Sequence, residues 1–200
     1  ISPNEGAFTD RLSKMEIPVV LIPFKKTYHF QDAFRLAQIL KQKKVHILHT
    51  HSMGAGNILS RLAAKIAGVP VFSHIHIANH FHSNRFIAAY QKWFDNLTSS
   101  WCEDIIAVSE STRNALLLQG VSSNKVKVIR NGIQIERCRY DKTRIEILNE
   151  FHLPSNAIVI GTVGRLCPVK GQKELVLSAL EIVKEFPQAY YLIVGKDLES

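Results

Sequence analysis

Short apolar runs alternate along the chain with segments in which apolar residues recur every three or four positions. A continuous run of aliphatic and β-branched residues is typical of a buried strand, whereas the wider spacing places apolar side chains on one face of a helix. The runs predict strands at 19–22, 45–49, 71–77, 104–109, 126–129, 157–163 and 190–194. The wider spacing predicts helices at 8–15, 31–42, 85–97 and 173–186. It predicts three more: one from the loop after Ser52 to Gly68, one that ends at Gly120, and one that contains Ile145 and Leu148.

This alternation of strands and helices predicts the fold class. Parallel strands need long crossover connections, which helices supply, so we expect an α/β fold with helices on both faces of parallel sheets. The polar segment 134–141 interrupts the pattern and is typical of a linker between domains. We therefore expect one Rossmann-like domain over residues 1–137 and the beginning of a second over residues 138–200.

Composition supports a globular protein. Apolar residues make up 46% of the 200 residues, which suffices for a core, and no apolar run is long enough to span a bilayer. Cys102, Cys138 and Cys167 are odd in number and lack C-x-x-C spacing, so neither a disulfide framework nor a zinc knuckle is expected. Reduced thiols fit a cytoplasmic location.

The charge balance points to anionic partners. The chain has 25 basic and 17 acidic residues, a net charge of +8, which favours phosphates, nucleic acid or an acidic membrane surface. An excess of this size is equally compatible with a surface that is merely soluble. The sequence contains no aromatic–basic RNA-binding module and no zinc finger, so nucleic acid is not an expected partner.

The loop between the strand at 157–163 and the helix at 173–186 carries Arg165 and Lys170. In open α/β sheets ligands bind where strands end, and a helix N-terminus there offers free N–H groups and a partial positive charge. Arginine adds a planar fork suited to phosphate, and lysine adds a mobile point charge. The loop therefore predicts a diphosphate site, and the alternative is a surface loop with two solvated cations.

The helix at 85–97 carries an aromatic stripe on one face. A stripe of this kind usually packs in a core or at a domain edge. A membrane-facing role is the alternative, because Arg85 and Lys92 flank the apolar side chains. The stripe consists of Phe86, Ile87, Tyr90, Trp93, Phe94 and Leu97.

Histidines are concentrated in one part of the chain. Side chains two apart on a strand share a face, so His74 and His76 should point the same way, as should His49 and His51. A metal site would use such pairs, but residues 46–82 contain no Asp or Glu to complete it. Individual hydrogen bonds to backbone are a second interpretation, and a sugar site is the third. The seven clustered histidines are His46, His49, His51, His74, His76, His80 and His82.

Several motifs together resemble those of family 4 glycosyltransferases, which are retaining enzymes of the GT-B fold. Residues 164–171 are similar to the family's G-R-L-x-x-x-K-G signature. Four weaker motifs follow the family's order over nearly the whole chain. They are 45–52 ("D-V-V-H-x-H-S"), 68–70 ("G-V-P"), 105–109 ("I-x-A-V-S") and 128–132 ("V-I-x-N-G").

The resemblance implies roles for individual residues. Arg165 and Lys170 would hold the diphosphate of a nucleotide-sugar donor, on a loop shaped by Gly164 and Gly171. His76, in the family pattern "P-V-x-x-x-x-H", would be the active-site histidine. The acceptor-side loop would include His51 and Ser52. The family usually continues with Gly, Asp or Asn after its histidine, whereas Ile77 follows here.

The implied reaction is transfer of a hexose from a nucleotide-sugar to an acceptor hydroxyl, with retention at the anomeric carbon. The resemblance implies no cofactor and no metal, an oxocarbenium-like transition state, and a donor phosphate that takes the acceptor proton. A saccharide or lipid-linked acceptor is expected, in cell-surface polysaccharide or glycolipid synthesis. The enzyme would work in the cytoplasm, with peripheral contact to the anionic inner face of the membrane left open.

Three other functions stay open at this point. They are a nucleotide-sugar 2-epimerase of the same fold, a metal-dependent hydrolase that uses the histidine cluster, and a nucleotide-binding relative without catalysis. The resemblance also implies a family glycine-rich loop before Ile1 and a second domain that continues roughly a hundred residues or more past Ser200. We therefore expect these 200 residues alone to be inactive.

Overall fold

The computed structural model of the chain describes residues 1–2, 5–24, 29–52, 54–77 and 84–196. The chain folds as two units, Ile1–Ile133 and Gln134–Ser200. The division falls shortly before the predicted boundary after residue 137. Each unit contains parallel strands and helices, so the predicted α/β class is confirmed.

The first unit contains a parallel sheet in the order β1-β2-β3-β4. Each strand therefore pairs with the next strand along the chain, and a helix lies between β1 and β2, between β2 and β3, and between β3 and β4. The strands are β1 (Leu48–Thr50), β2 (Val71–Ile75), β3 (Ile105–Ala107) and β4 (Val126–Val128). The helices are α1 (Ala7–Lys14), α2 (Phe30–Gln42), α3 (Ala55–Ala67), α4 (Arg85–Ser99) and α5 (Glu110–Leu118), with a short 3-10 turn at Ser123–Lys125.

Helix α2 confirms the helical spacing in the sequence. Ala33, Leu36, Ala37 and Leu40 are all buried and pack in one apolar cluster with α3. Helix α3 ends at Gly68, whose φ of 71° lies in the left-handed region that glycine adopts without a steric penalty.

One face of the sheet is apolar. Val71 and Ile75 of β2 pack with Ile105 of β3 and Leu116 of α5 in a second buried cluster. Because side chains alternate along a strand, Ser73 shares the buried face of Val71 and Ile75, whereas Phe72 and His74 point to the opposite face of the sheet.

The predicted strands at 19–22 and 45–49 differ from the structure. Among the described residues, the first is reduced to a single bridge between Ser2 and Leu21, because no longer stretch of chain pairs with it. The second begins only at Leu48, whose N–H donates to the carbonyl of Pro70 at 2.9 Å. Before Leu48 the neighbouring chain is the turn at residues 68–70 that follows α3, which does not form a ladder.

The second unit has two parallel strands that pair over six residues, from Ile158 with Ala189 to Val163 with Val194. Its short helix α6 begins at Thr143, which forms a capping box with Glu146. The regular elements are α6 (Arg144–Glu150), β5 (Ile158–Val163), α7 (Gln172–Glu185) and β6 (Ala189–Val194), with 3-10 turns at Ile135–Cys138 and Pro168–Lys170.

The aromatic stripe of α4 is only partly packed within the described residues. The ring of Phe94 lies 6.1 Å from that of Phe30, centroid to centroid. Phe86 and Trp93 are 85% and 61% exposed, so these two side chains do not pack in the core of the described residues, and packing at a domain edge stays a prediction. Neither α4 nor any other helix in the described ranges has the length and apolarity needed to cross a bilayer.

Candidate functional site

The loop that follows β5, residues 164–171, is here called the donor loop. It leaves the strand after Val163, makes the 3-10 turn Pro168–Lys170 and reaches Gly171, the residue before α7. Gly171 has φ 69°, a left-handed conformation suited to glycine. The predicted strand–loop–helix arrangement is confirmed, and it places the first N–H groups of α7 beside the loop.

Backbone hydrogen bonds fix the donor loop to the end of β6. The N–H of Gly164 donates to the carbonyl of Val194 at 2.9 Å, and that of Leu166 donates to Lys196 at 3.2 Å. The amide Nε2 of Gln172 donates to the carbonyl of Arg165 at 2.8 Å. A Cβ added at Gly195 would collide with the Gly164 carbonyl, so the two segments touch backbone to backbone. The end of β6 and the start of α7 therefore both hold the loop in place.

Arg165 and Lys170 are both exposed on this loop. Within the described part of the chain neither forms an ion pair. The aliphatic stem of Lys170 passes Gly164, where an added Cβ would lie 3.8 Å from its Cδ. Two cations beside a helix N-terminus can hold a diphosphate, which is the chemistry predicted from the sequence.

Four imidazoles lie together on one face of the first sheet, and we call them the histidine cluster: His49, His51, His74 and His76. Strand β1 pairs with β2 so that Thr50 lies opposite Ser73, which brings the following residues, His51 and His74, side by side. Neighbouring ring centroids are 4.5 to 5.6 Å apart. Strand alternation predicted a shared face within each pair, and the register between β1 and β2 brings the two pairs together.

One hydrogen bond joins rings within the histidine cluster. It connects Nδ1 of His51 with Nε2 of His76 at 3.1 Å, and the tautomer decides which nitrogen donates. Burial lowers the pKa of His51 and His74 below its ordinary value of 6.5, and the neighbouring imidazoles lower it further when they are charged. The neutral forms are therefore favoured.

A cavity of about 400 Å³ adjoins the cluster. His49, His51 and Ser52 line it together with Phe24 and Gly56. A Cβ added at Gly56 would lie 2.8 Å from Cβ of Ser52, so glycine is needed for this close approach between α3 and the loop. The predicted acceptor-side residues thus border a space that a small polar ligand could enter.

Other predicted residues lie apart from the cluster. His46 is exposed and makes no ring contact with the cluster in the described ranges. His80 and His82 lie outside the described residues. The donor loop belongs to the second unit and His76 to the first.

Sequence reasoning missed a polar network on the opposite face of the sheet. Arg61 of α3 is 1% exposed, and its Nε donates to Oγ of Ser73 at 2.8 Å. Its Nη1 donates to Oδ1 of Asp95 at 2.7 Å. Thr50 donates to Ser73 at 3.2 Å. The network fixes the strand ends that carry the histidines, and the signal for it in the sequence is the charged Arg61 between the apolar positions Leu59 and Leu62 of α3.

Residues 2–137 match the sequence model of Glycosyltransferase Family 4. The chain belongs to this family. The resemblance found in the motifs is therefore confirmed. The matched range contains the histidine cluster, whereas the donor loop lies outside it.

Individual relatives extend the comparison to nearly the whole chain. The chain is 28% identical over 205 residues to the Escherichia coli UDP-Gal:alpha-D-GlcNAc-diphosphoundecaprenol alpha-1,3-galactosyltransferase, covering 98% of this chain and 53% of that protein. The structure is similar to that of Anabaena Alr3699/HepE in complex with UDP, with a TM-score of 0.78 and 22% identity over 98% of this chain and 52% of that one.

A Neisseria meningitidis UDP-GlcNAc 2-epimerase bound to UDP-GlcNAc is less similar. Its TM-score is 0.51, with 22% identity over 96% of this chain and 55% of that one. The likenesses confirm the predicted GT-B type of fold. The chain spans about half the length of these relatives.

Proposed function

We propose that the protein transfers a hexose from a nucleotide-sugar to an acceptor hydroxyl with retention at the anomeric carbon. The observation that carries the proposal is the donor loop, where Arg165 and Lys170 project from a backbone fixed at the end of a parallel strand. Membership of family 4 supports the same conclusion.

In the proposed reaction the bond between the anomeric carbon and the diphosphate oxygen breaks. Negative charge then builds on the nucleoside diphosphate, and the cations of Arg165 and Lys170 stabilise it. The acceptor oxygen attacks from the same face, and its proton passes to the departing phosphate oxygen. The two cations supply the charge that a divalent metal would otherwise supply, so the reaction needs neither metal nor cofactor.

His76 is the proposed active-site histidine. It lies just beyond β2 and is exposed, with His51 as a hydrogen-bond partner. An imidazole N–H there can donate to a sugar hydroxyl or to the diphosphate. His51 and Ser52 would face the acceptor, because both line the cavity beside the cluster.

The comparisons support a uridine nucleotide as donor and a lipid-linked saccharide as acceptor. The E. coli relative is named for UDP-Gal and for an acceptor on diphosphoundecaprenol. The Anabaena structure is a complex with UDP. We therefore propose a UDP-hexose donor and a role in cell-surface polysaccharide or glycolipid synthesis.

A lipid-linked acceptor favours contact with a membrane. Helix α4 presents Phe86 and Trp93 to solvent, and Arg85 and Lys92 lie on the same helix. Apolar rings flanked by cations suit an anionic bilayer surface.

The full-length protein should co-sediment with phosphatidylglycerol vesicles, and Trp93→Ala should weaken this binding several-fold. Leu118→Ala, which removes an exposed apolar side chain from α5, is the control. Equal losses in both variants would contradict a role for α4.

The 2-epimerase alternative has weaker support. Its representative has a TM-score of 0.51, against 0.78 for the Anabaena protein. A nucleotide-sugar 2-epimerase inverts one carbon of the sugar without an acceptor. Its nucleotide-sugar product keeps the UDP, so no free UDP accumulates. An assay that measures UDP release with and without a saccharide acceptor therefore separates the two functions.

The decisive experiment is a transfer assay with the full-length protein and a panel of nucleotide-sugars. Arg165→Ala and Lys170→Ala should each weaken UDP binding by about 2 kcal/mol, because each removes a charge-assisted contact. His76→Ala should reduce turnover far more than it reduces stability. The anomeric proton coupling of the product, measured by NMR, reports retention. Unchanged UDP affinity in both loop variants, or a product of inverted configuration, would contradict the proposal.

A further inference from the structure

The histidine cluster contains three side chains whose geometry suits a metal ion. One ligand nitrogen from each of His49, His51 and His74 lies within 4.8 Å of the other two. His49 belongs to β1, His51 immediately follows it and His74 belongs to β2. Two adjacent, hydrogen-bonded strands therefore hold all three side chains on one face.

Hydrogen bonding does not account for this arrangement. Within the described residues, both ring nitrogens of His74 are buried and have no hydrogen-bond partner. Buried imidazole nitrogens in structural roles are normally paired. Here the unpaired ring is surrounded by His49, His51 and His76, with centroids 4.6 to 5.6 Å away. A ligand that accepts electron pairs from several imidazole nitrogens at once would give these nitrogens a partner.

We propose that His49, His51 and His74 bind one divalent transition-metal ion of the zinc type. Imidazole is a good ligand for Zn²⁺, Ni²⁺ and Cu²⁺, whereas Mg²⁺ and Ca²⁺ need oxygen ligands. Residues 46–82 contain no Asp or Glu, so an oxygen-bound cation does not fit. Zn–N bonds of about 2.0–2.1 Å in a tetrahedral site place the ligand nitrogens about 3.3 Å apart. The three imidazoles, whose nitrogens lie within 4.8 Å of one another, would therefore have to rotate towards one another to bind the ion.

Such an ion affects the acceptor side of the proposed site. Three protein ligands leave one tetrahedral position open, and His49 and His51 also line the cavity of about 400 Å³. His51 is the hydrogen-bond partner of His76 at 3.1 Å, so coordination of His51 changes the surroundings of His76. Zinc should therefore inhibit transfer. This consequence rests on the proposed function, whereas metal binding itself does not.

The test uses untagged full-length protein that has been treated with chelator and then titrated with Co²⁺. One equivalent should bind and give the visible d–d absorption of a tetrahedral nitrogen-ligated site. His49→Gln and His74→Gln should each weaken Co²⁺ and Zn²⁺ binding by about 100-fold or more, since each removes a ligand. His46→Gln, in the same segment but outside the cluster, is the matched control and should bind like the wild type.

Two results would overturn the proposal. One is the absence of stoichiometric Co²⁺ or Zn²⁺ binding to the wild type. The other is binding that both ligand variants retain, which places the ion elsewhere. His49 is exposed, so its replacement is expected to leave the fold intact even where that of His74 does not. If transfer is detected, His49→Gln should transfer sugar at the same rate with and without zinc, because its zinc inhibition is lost. If no transfer is detected, the Co²⁺ spectrum still decides metal binding.

Discussion

Arg61 is a charged side chain in the interior of the first unit, and it connects α3 and α4 with the sheet. Its guanidinium reaches Ser73 on β2 and Asp95 on α4. Because arginine does not lose its proton in a protein, its burial depends on these acceptors. The sequence alone does not predict the pair, because Arg61 and Asp95 lie 34 positions apart and meet only through tertiary packing.

Replacement of Asp95 should therefore destabilise the protein. Asp95→Ala leaves Arg61 buried without its carboxylate, and we expect a loss of about 3 kcal/mol in the free energy of unfolding. Urea unfolding measures the loss. Glu150→Ala breaks the exposed ion pair with Lys142 and is the control, for which a much smaller loss is expected because solvent screens the pair. Similar losses in the two variants would show that the Arg61–Asp95 pair is not important for stability.

The histidine cluster should make stability depend on pH. The folded state lowers the pKa of His51 and His74 below the ordinary 6.5, first through burial and then through neighbouring imidazoles. The unfolded chain therefore binds more protons than the folded chain just below pH 6.5. The stability contribution is complete above that pH and is lost as the pH falls.

His74→Phe should reduce this dependence, because the ring that titrates is replaced by one that does not. Thermal unfolding between about pH 7.5 and pH 5 measures the slope, since one proton per molecule changes stability by about 1.4 kcal/mol per pH unit. His152→Gln, in the second unit, controls for the loss of a histidine as such. A wild type that gains stability as the pH falls below 6.5 would contradict the prediction.

At the scale of elements, the donor loop and α2 were predictable because local signals agree there. An apolar run, a proline and a glycine define β5, the turn at Pro168 and the start of α7. The start of β1 was predicted too early because it depends on the partner strand, β2. Nothing near residues 45–47 shows which part of the chain will lie opposite them. The contact between Gly195 and Gly164 likewise joins two segments that only the folded sheet brings together.

That contact predicts a specific effect of Gly195→Ala. The new Cβ would collide with the Gly164 carbonyl and approach Cδ2 of Leu166 to 3.2 Å, so the donor loop must shift. We expect a loss of about 1–3 kcal/mol in stability and weaker UDP binding. Gly161→Ala is the control, because its Cβ would lie 3.8 Å from the carbonyl oxygen of Leu192, an ordinary contact. Calorimetry should show a larger loss of UDP affinity in Gly195→Ala than in Gly161→Ala. Equal affinities would show that the donor loop does not need the close contact between Gly195 and Gly164.

At the scale of the whole molecule, the two units carry different parts of the proposed chemistry. The first holds the histidine cluster and the cavity beside it, and the second holds the donor loop. The family match over residues 2–137 bears mainly on the first unit. For the second, the support comes from the donor-loop motif and from relatives that align with 98% of the chain.

The division of chemistry predicts how metal ions affect the full-length protein. In the proposed reaction Arg165 and Lys170 offset the charge of the leaving diphosphate, so transfer should continue at an unchanged rate after thorough treatment with EDTA. Added zinc should slow the reaction through the histidine cluster, because coordination changes the surroundings of His76. The measurement is the rate of UDP release in chelator-treated buffer, with Mn²⁺ and Zn²⁺ added back separately. Sodium chloride at the same ionic strength, in place of the metal salts, is the control for ionic strength. If EDTA abolishes turnover and Mn²⁺ restores it, the two cations do not suffice, and the proposed role of the donor loop is wrong.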